Sequence, residues 1–238
     1  MLSGSNVTTV STGAGISKES GIPTFRGSDG IWKSKNPKEL ASLEGFLSNP
    51  ELVWKWYMQR LFTAREKDPN PAHLALVDLE GMIPHLTVIT QNVDNLHRRA
   101  GSRKVVELHG NIEHFRCLEC AHTADFDPEW DDRPPRCPEC GSYIRPDIVW
   151  FGEQLPRTEL EYAFDISSRS DTFLIIGTSG TVQPAAQLPI MARRNGARLI
   201  EINVTESAFT GQVDISLQGK AGEILPLIVN EIRAENSS

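Results

Sequence analysis

The sequence predicts an α/β protein with a doubly wound, mostly parallel, Rossmann-like sheet and a smaller lobe made of a zinc-binding module and a helical insertion. Short β-branched or apolar runs alternate with segments of helical spacing, which is typical of parallel strands joined by helical crossovers. Several runs end at small or polar residues, among them Gly13, Gln91 and Gly177. Because open α/β sheets bind ligands at the carboxyl ends of their strands, we expect a ligand crevice at that edge.

The composition and net charge of the chain limit the classes of protein to which it can belong. With 238 residues and 39% hydrophobic content, the chain is expected to fold as one large or two smaller globular domains. No apolar run approaches the ~20 residues of a membrane span, and residues 1–6 do not resemble a secretory signal. We therefore expect a cytoplasmic protein without a membrane partner. The net charge of −7 argues against general or sequence-specific nucleic-acid binding.

The first predicted strand is the β-branched run at 6–12, and it breaks at Gly13-Ala14-Gly15. Glycines let the backbone approach a pyrophosphate, and the N–H groups of a following helix would favour anions. Lys18 stands where the usual G-x-G-x-x-G motif has its third glycine. From the residues alone, a nucleotide-binding loop and a plain tight turn are both open.

The next segment, 21–27, is a glycine-rich loop that contains Phe25 and Arg26. It is either a lid, with an aromatic face for a ligand and a guanidinium for phosphate, or a surface loop pinned by Phe25 and Trp32. Asn49-Pro50 and Asn70-Pro71 then predict two helix starts, the first helix running to about residue 67.

Tyr57 and Arg60 lie three residues apart on the first of these helices, so their side chains point the same way. Either the two side chains bind a ligand together, or their spacing is a coincidence and Tyr57 has only a packing role.

The central stretch, 90–110, collects polar residues at two predicted strand ends. An apolar run at 86–89 leads to Gln91, Asn92 and Asp94, and a second run at 105–108 leads to His109. A histidine at a strand end can exchange a proton with a substrate hydroxyl near neutral pH. His109 is therefore either catalytic or a structural histidine.

Two Cys-x-x-Cys pairs, separated by sixteen residues, predict a tetrahedral zinc site with the ligands Cys117, Cys120, Cys137 and Cys140. Four thiolates leave no position for water, so the zinc would be structural. The intervening segment is acidic, contains three prolines and cannot build a core of its own. Disulfides or a redox motif are the alternatives.

The rest of the chain completes the sheet. The apolar segment at 148–151 is either a core strand or an edge to which a peptide adds as a strand. Further strands are predicted at 171–176, 197–202 and 214–217, and helices at 184–195 and 219–234. We expect residues 1–29, 76–114 and 146–238 to form the nucleotide-binding domain, and residues 30–75 and 115–145 to form the small lobe.

Taken together, the motifs resemble those of one family. They are GAGIS at 13–17, GIPTFRG at 21–27, TQNVD at 90–94, ELHG at 107–110, the two cysteine pairs, GTS at 177–179 and the strand end at Asn203. This combination, in this order, resembles the sirtuins, which are NAD-dependent protein-lysine deacylases. The resemblance covers nearly the whole chain. It implies NAD as cofactor, one structural Zn²⁺ ion, and acylated-lysine proteins as substrates.

The resemblance also implies roles for individual residues. His109 and Asn92 would be catalytic, His109 by taking a proton from a ribose hydroxyl. The residues implied to bind NAD are Gly13, Ala14, Gly15, Ser17 and Arg26 at the phosphates, Phe25, Gln91 and Asn92 at the ribose, Asp94 at the nicotinamide carboxamide, and Gly177, Thr178, Ser179, Asn203 and Ala221 at the adenosine. Those implied to pair with the substrate backbone are Val149, Phe151 and Gly152.

Tyr57 and Arg60 resemble the Tyr-x-x-Arg pair of the sirtuin class that removes acidic acyl groups. An arginine and a phenol can bind a succinyl or malonyl carboxylate through charge-assisted hydrogen bonds. We expect desuccinylation or demalonylation, with deacetylation as a further activity. Two other functions compete with deacylation. One is ADP-ribosyl transfer to a protein, and the other is binding of NAD or acylated protein without turnover.

Overall fold

The computed structural model describes residues 2–25 and 30–236. The strands, in chain order, are β1 (Val7–Thr12), β2 (His85–Thr90), β3 (Val105–Glu107), β4 (Gly110–Cys117), β5 (Thr123–Ala124), β6 (Ile144–Ile148), β7 (Thr172–Ile176), β8 (Arg198–Asn203) and β9 (Ile215–Gln218). The α-helices are α1 (Pro37–Leu40), α2 (Leu43–Ser48), α3 (Pro50–Arg65), α4 (Pro71–Met82), α5 (Leu96–Ala100), α6 (Arg157–Ser168), α7 (Gln187–Arg194) and α8 (Ala221–Asn236). None of these helices is both long enough and apolar enough to span a bilayer.

The main sheet has six strands within the described chain, in the order β3-β2-β1-β7-β8-β9. All five neighbouring pairs are parallel, so the predicted Rossmann-like sheet is confirmed. From the adjacent central strands β1 and β7, the chain steps outward in opposite directions. The carboxyl ends of β1 and β7 therefore mark the switch point at which sheets of this kind open a crevice.

Helices cover both faces of this sheet, which explains why its central strands are apolar or β-branched along their length. On one face, buried residues of α4 and α8 pack against the sheet, including Leu76, Leu79 and Leu225. On the other face, residues of α6 and α7 do so, including Leu188. These two layers hold the strand ends rigidly.

A second core belongs to the small lobe. There α1, α2 and α3 pack against the antiparallel sheet β5-β4-β6. Trp54, Phe115 and Trp150 are fully buried in this core. The domain boundary expected between residues 75 and 76 falls inside α4, whose buried side chains belong to the core of the main sheet.

Local differences from the expected elements have identifiable causes. The helix expected after Gly15 is a single turn over Lys18–Ser20, which ends at Gly21 with φ +86°. Residue Ile148 closes β6, so the first part of the 148–151 segment is a core strand. β4 and α6 carry many polar residues, and their existence was not predicted.

Candidate active site

A cleft of about 1320 Å³ lies at the carboxyl ends of the central strands, with walls from both the main sheet and the small lobe. It brings together predicted residues that are far apart in the sequence. Those lining it are Gly13, Ala14, Gly15, Phe25, Tyr57, Arg60, Gln91, Asn92, His109, Val149, Phe151, Gly152, Gly177, Thr178, Ser179, Asn203 and Ala221. Ser17 and Asp94 are buried beside this lining, and Arg26 lies outside the described residues.

The glycine loop is packed directly against the end of β7. The Gly15 N–H donates to the Gly177 carbonyl at 2.8 Å, and a Cβ on Gly15 would lie 2.7 Å from Gly177 backbone atoms. Glycine is therefore required by backbone contact alone. Among the described residues, the N–H groups of Ala14 and Ser17 have no hydrogen-bond acceptor. Ala14 lines the cleft, so its N–H is available for an anion there.

Ser17, Asn92 and Asp94 form a buried polar cluster under the floor of the cleft. The Ser17 hydroxyl donates to Asp94 Oδ2 at 2.7 Å, and Asn92 Nδ2 donates to Ser17 Oγ at 3.1 Å and to the Gly13 carbonyl at 3.2 Å. The Leu96 N–H donates to Asp94 Oδ1 at 3.0 Å. Burial raises the pKa of the Asp94 carboxyl by more than its two hydrogen-bond donors lower it. The cluster holds an amide and a carboxyl group in fixed orientations.

His109 projects from the turn after β3 into the cleft. Its Nδ1 lies 3.0 Å from the Gln91 carbonyl oxygen. Since that oxygen can only accept, Nδ1 carries the proton and Nε2 is left with a free lone pair. Burial lowers the pKa of His109, while the bond to Gln91 opposes this effect. The imidazole is therefore neutral at pH 7, in the tautomer that can accept a proton at Nε2.

The opposite end of the cleft is built on β7, β8 and the start of α8. Asn203 Nδ2 donates to the Thr178 carbonyl at 2.9 Å, and Gln91 Nε2 donates to Thr178 Oγ1 at 3.3 Å. Gly180 has φ +71°, and a Cβ there would lie 2.6 Å from the Phe209 ring. A side chain at this position would therefore collide with Phe209 and adopt a strained backbone conformation, so glycine is required here.

Tyr57 and Arg60 both reach the cleft from α3. The Arg60 guanidinium carbon lies 4.7 Å from the Phe25 ring centroid and 4.9 Å from that of Trp56. In the described part of the chain, Arg60 forms no ion pair, and its buried Nε has no hydrogen-bond partner. Burial raises the pKa of the Tyr57 phenol, which is neutral as a result. Burial likewise lowers the pKa of Arg60, and the nearby Tyr57 and Asp94 oppose that effect.

An ion pair that sequence reasoning missed joins β6 to the segment that follows it. Arg145 is fully buried and binds both carboxylate oxygens of Glu153. Glu153 also accepts from the Trp150 N–H at 2.8 Å. No local pattern marks this pair, because the two residues are eight positions apart in an irregular segment.

Backbone bonds around this segment limit how a peptide can pair with it. The Val149 N–H donates to the His109 carbonyl at 2.9 Å, and the Phe151 N–H donates to the Ala41 carbonyl at 2.8 Å. Both N–H groups are thus already used within the chain. The carbonyl oxygen of Val149 accepts no hydrogen bond from a described residue, whereas Phe151 is paired with Ser42 in a parallel β-bridge. Val149 therefore offers the free backbone acceptor of this segment.

The four cysteines of the small lobe converge as predicted. Their Sγ atoms all lie within 4.8 Å of one another, with separations of 3.4 Å between Cys117 and Cys140 and 3.6 Å between Cys120 and Cys137. These distances exclude disulfides in this structure. Zn–S bonds of ~2.3 Å in a tetrahedron place sulfur atoms about 3.8 Å apart, so the cluster fits one zinc ion.

Comparisons with known sequences and solved structures identify the family that this chain resembles. Residues 13–184 match the model of the Sir2 family. An "NAD-dependent protein deacylase" of Pyrococcus abyssi is 50% identical over 228 residues, which cover 93% of this chain and 91% of that protein. A solved structure of a Sir2 homolog–NAD complex superposes with a TM-score of 0.92 at 44% identity, covering 98% of this chain and 92% of the other. A structure described as Sir2-p53 peptide-NAD⁺ superposes with a TM-score of 0.85 at 38% identity, covering 97% and 95%.

Proposed function

This chain belongs to the Sir2 family, and we propose that it is an NAD-dependent protein deacylase that removes succinyl and malonyl groups, and also acetyl groups, from lysine side chains. Its products are nicotinamide, an O-acyl-ADP-ribose and free lysine. One observation carries the acyl preference. In the described chain, Arg60 forms no ion pair with a carboxylate and its buried Nε has no hydrogen-bond partner, and it lies in the same cleft as the neutral base His109.

The residues around the cleft fit NAD. The free N–H group of Ala14 suits its phosphates, and Asn203 and Ala221 line the other end, where the adenosine would lie. Asp94, held by Ser17 and Leu96, offers its carboxyl group to the nicotinamide carboxamide. When bound, NAD supplies the ribose carbon that receives the acyl oxygen and the ribose hydroxyl that later attacks the acyl carbon.

In this proposal, His109 is the general base. Its Nε2 takes the proton of the ribose hydroxyl, and the bond from Nδ1 to the Gln91 carbonyl fixes the ring in the required tautomer. Asn92 orients the ribose and a water molecule, because its side chain is anchored to Ser17 and the Gly13 carbonyl. Phe25 covers the ribose and keeps released nicotinamide from returning.

Arg60 and Tyr57 determine the acyl preference. A guanidinium between two aromatic rings is held in place by cation–π contacts but gains no hydrogen bond from them. A succinyl or malonyl carboxylate would supply charge-assisted hydrogen bonds to Arg60 and accept another from the Tyr57 hydroxyl. An acetyl group leaves both unpaired, so it binds less tightly without being excluded.

The acylated-lysine peptide would lie along the segment 149–152, donating a backbone N–H group to the carbonyl oxygen of Val149. The Arg145–Glu153 pair keeps this segment in shape. The zinc ion would tie the two cysteine knuckles of the small lobe together and take no part in the reaction, because its four ligands are all thiolates.

The test compares one peptide that bears acetyl-lysine with the same peptide that bears succinyl-lysine, each incubated with NAD and followed by mass spectrometry. We expect a higher kcat/KM for the succinyl peptide and formation of O-succinyl-ADP-ribose. Arg60→Met should lower the succinyl kcat/KM roughly 10- to 100-fold, the size of a lost charged hydrogen-bond pair, and change the acetyl kcat/KM by about twofold or less.

Lys55→Met is the matched control, since Lys55 is an exposed cation on the same helix. It should leave both rates unchanged. An equal loss for both acyl groups in Arg60→Met would contradict the pocket assignment. NAD-dependent labelling of the peptide with ADP-ribose, without loss of either acyl group, would instead establish ADP-ribosyl transfer.

A further inference from the structure

Two histidines that have no part in the proposed reaction lie side by side beneath the cleft. His73 on α4 and His97 on α5 are both fully buried, and their ring centroids are 4.8 Å apart in an edge-on arrangement. Burial lowers the pKa of His73 to about 4 and that of His97 well below its usual value, and His73 lowers it further. Both rings are neutral at pH 7, so each has one N–H donor and one bare nitrogen.

The tautomer of His73 follows from its position in the first turn of α4. Its Nδ1 lies 3.3 Å from the Asn70 N–H, in the reciprocal arrangement that caps this helix. A backbone N–H can only donate, so Nδ1 is the bare nitrogen. The proton of His73 is therefore on Nε2, which is buried and has no partner among the described residues.

The tautomer of His97 follows from the strand ends that it contacts. Its Nε2 is 3.0 Å from Thr12 Oγ1, and the Thr12 hydroxyl donates to Thr90 Oγ1 at 2.9 Å. The proton of Thr12 is thus used, and His97 Nε2–H must donate to its oxygen. His97 Nδ1 is then a bare acceptor, again buried and without a described partner.

The two unpartnered atoms complement each other. His73 offers an N–H, and His97, on the neighbouring ring, offers a lone pair. Unpaired buried polar atoms are costly, so a pair of this kind is joined by a small ring rotation or by one bridging water. Such a link would complete a chain of hydrogen bonds from the start of α4 to the end of β2.

This chain ends at the proposed catalytic loop. Thr90 Oγ1 accepts from the Asn92 N–H at 3.0 Å, and the Asn92 side chain is anchored to Ser17 and Gly13. We propose that His97, supported by His73, is a positioning residue: it orients the hydroxyls of Thr12 and Thr90 and thereby holds Asn92 in the cleft. This inference rests on the proposed function only where it concerns the rate of the reaction.

The first test needs no activity. Long-range ¹H–¹⁵N spectra of the unmodified protein at pH 7 report which imidazole nitrogen carries each proton. We expect both His73 and His97 to be neutral and protonated on Nε2. An Nδ1-protonated tautomer or an imidazolium at either residue would overturn the proposal. If the protein releases no nicotinamide at all, the proposed function is wrong, but these spectra still show whether His73 and His97 have the tautomers that the hydrogen-bond chain requires.

The second test measures nicotinamide release in three variants. His97→Phe keeps a buried ring but removes the donor to Thr12, and kcat should fall roughly five- to tenfold, the size of one neutral hydrogen bond. The KM for NAD should change less than about twofold, because the residues at the phosphates are untouched. His97→Gln, which restores a donor, should recover most of kcat. His85→Phe, at an exposed histidine that starts β2, should leave kcat unchanged.

A purely packing role gives a different pattern. His97→Phe would then keep its rate, and His97→Gln, which fills the space less well, would be no better; this result would overturn the proposal. If His97→Phe does not fold, Thr90→Val removes the last hydroxyl of the chain at nearly constant volume. The same fall in kcat is expected there, and an unchanged kcat would refute the positioning role.

Discussion

Two groups of side chains beside the cleft differ in how they are paired: those of Ser17, Asn92 and Asp94 hydrogen-bond to one another, whereas the Arg60 guanidinium lies against the rings of Phe25 and Trp56. We call the first group the Asp94 cluster, and its members are already paired within the chain. The second group, the Arg60 pocket, contains a half-buried cation that forms no ion pair within the described chain and whose buried Nε has no hydrogen-bond partner there. In the proposed reaction, the Asp94 cluster serves a step common to every substrate, and the Arg60 pocket binds a charge that the substrate brings.

The largest effect is expected at His109, which lines the same cleft. His109→Ala removes the proposed general base, so turnover of both succinyl and acetyl peptides should fall roughly 10²- to 10⁴-fold. NAD affinity, measured by calorimetry, should stay within about threefold of the unmodified protein, since general acid–base groups act mainly in the transition state. If only one of the two acyl groups is affected, His109 belongs to the acyl pocket and is not the shared base.

Acid should weaken the protein through three buried histidines. The folded-state pKa values of His73, His97 and His109 are all lowered by burial, so below pH 6.5 these histidines bind more protons in the unfolded chain than in the folded chain. Their contribution to the free energy of unfolding should therefore rise with pH between about 4 and 6.5 and level off above that range, whereas the raised pKa of Asp94 acts in the opposite direction. His73 alone, with a folded pKa of about 4, contributes about 3 kcal/mol over this window.

The pH effect is checked by urea unfolding at several pH values. His73→Phe should flatten the slope, because one of the suppressed protonations is removed. A slope unchanged by this substitution would show that His73 is not neutral in the folded protein. Arg60 and Tyr57 keep their charge states over the same range, so the Arg60 pocket should add nothing to the slope.

The Asp94 cluster should be costly to disrupt. Asp94→Ala leaves the buried Ser17 hydroxyl and Leu96 N–H without their acceptor, which should lower the free energy of unfolding by about 1–3 kcal/mol. Succinyl and acetyl activities should fall together, because the cluster serves both. Asp68→Ala is a suitable control, since the Asp68 side chain is almost fully exposed. A selective loss of one acyl activity would contradict the shared role of the cluster.

The sequence predicted the parts of this site whose residues lie next to strand ends. Strands such as β1 and β7 are continuous apolar or β-branched runs, and their ends are marked by Gly13 and Gly177, which is why the edge of the sheet could be located. The four cysteines were equally clear, because knuckle spacing is local. These signals all lie within a few residues of the feature that they mark.

Contacts between distant segments could not be predicted in the same way. The pairing of Arg145 with Glu153 depends on how an irregular segment folds back, and the contact between His97 and Thr12 depends on the packing of α5 beneath the sheet. The helix expected after Gly15 shortened to one turn for a similar reason. Asn70, from the start of α4, binds the Ile16 carbonyl and Ser20 and fixes the loop between them.

The smallest effect on stability is expected at the Arg60 pocket, and it gives the sharpest contrast with Asp94→Ala. Arg60→Met replaces a guanidinium whose buried Nε has no partner in the described chain with an apolar chain of similar length, so it breaks no described ion pair and leaves no described carboxylate unpaired. Removing the desolvated charge offsets the lost cation–π contacts, each about 1 kcal/mol. The urea midpoint should therefore stay the same or rise slightly, even though succinyl activity is lost. A fall as large as that of Asp94→Ala would mean that Arg60 is a structural cation with a partner of its own, and the preference for acidic acyl groups would lose its physical basis.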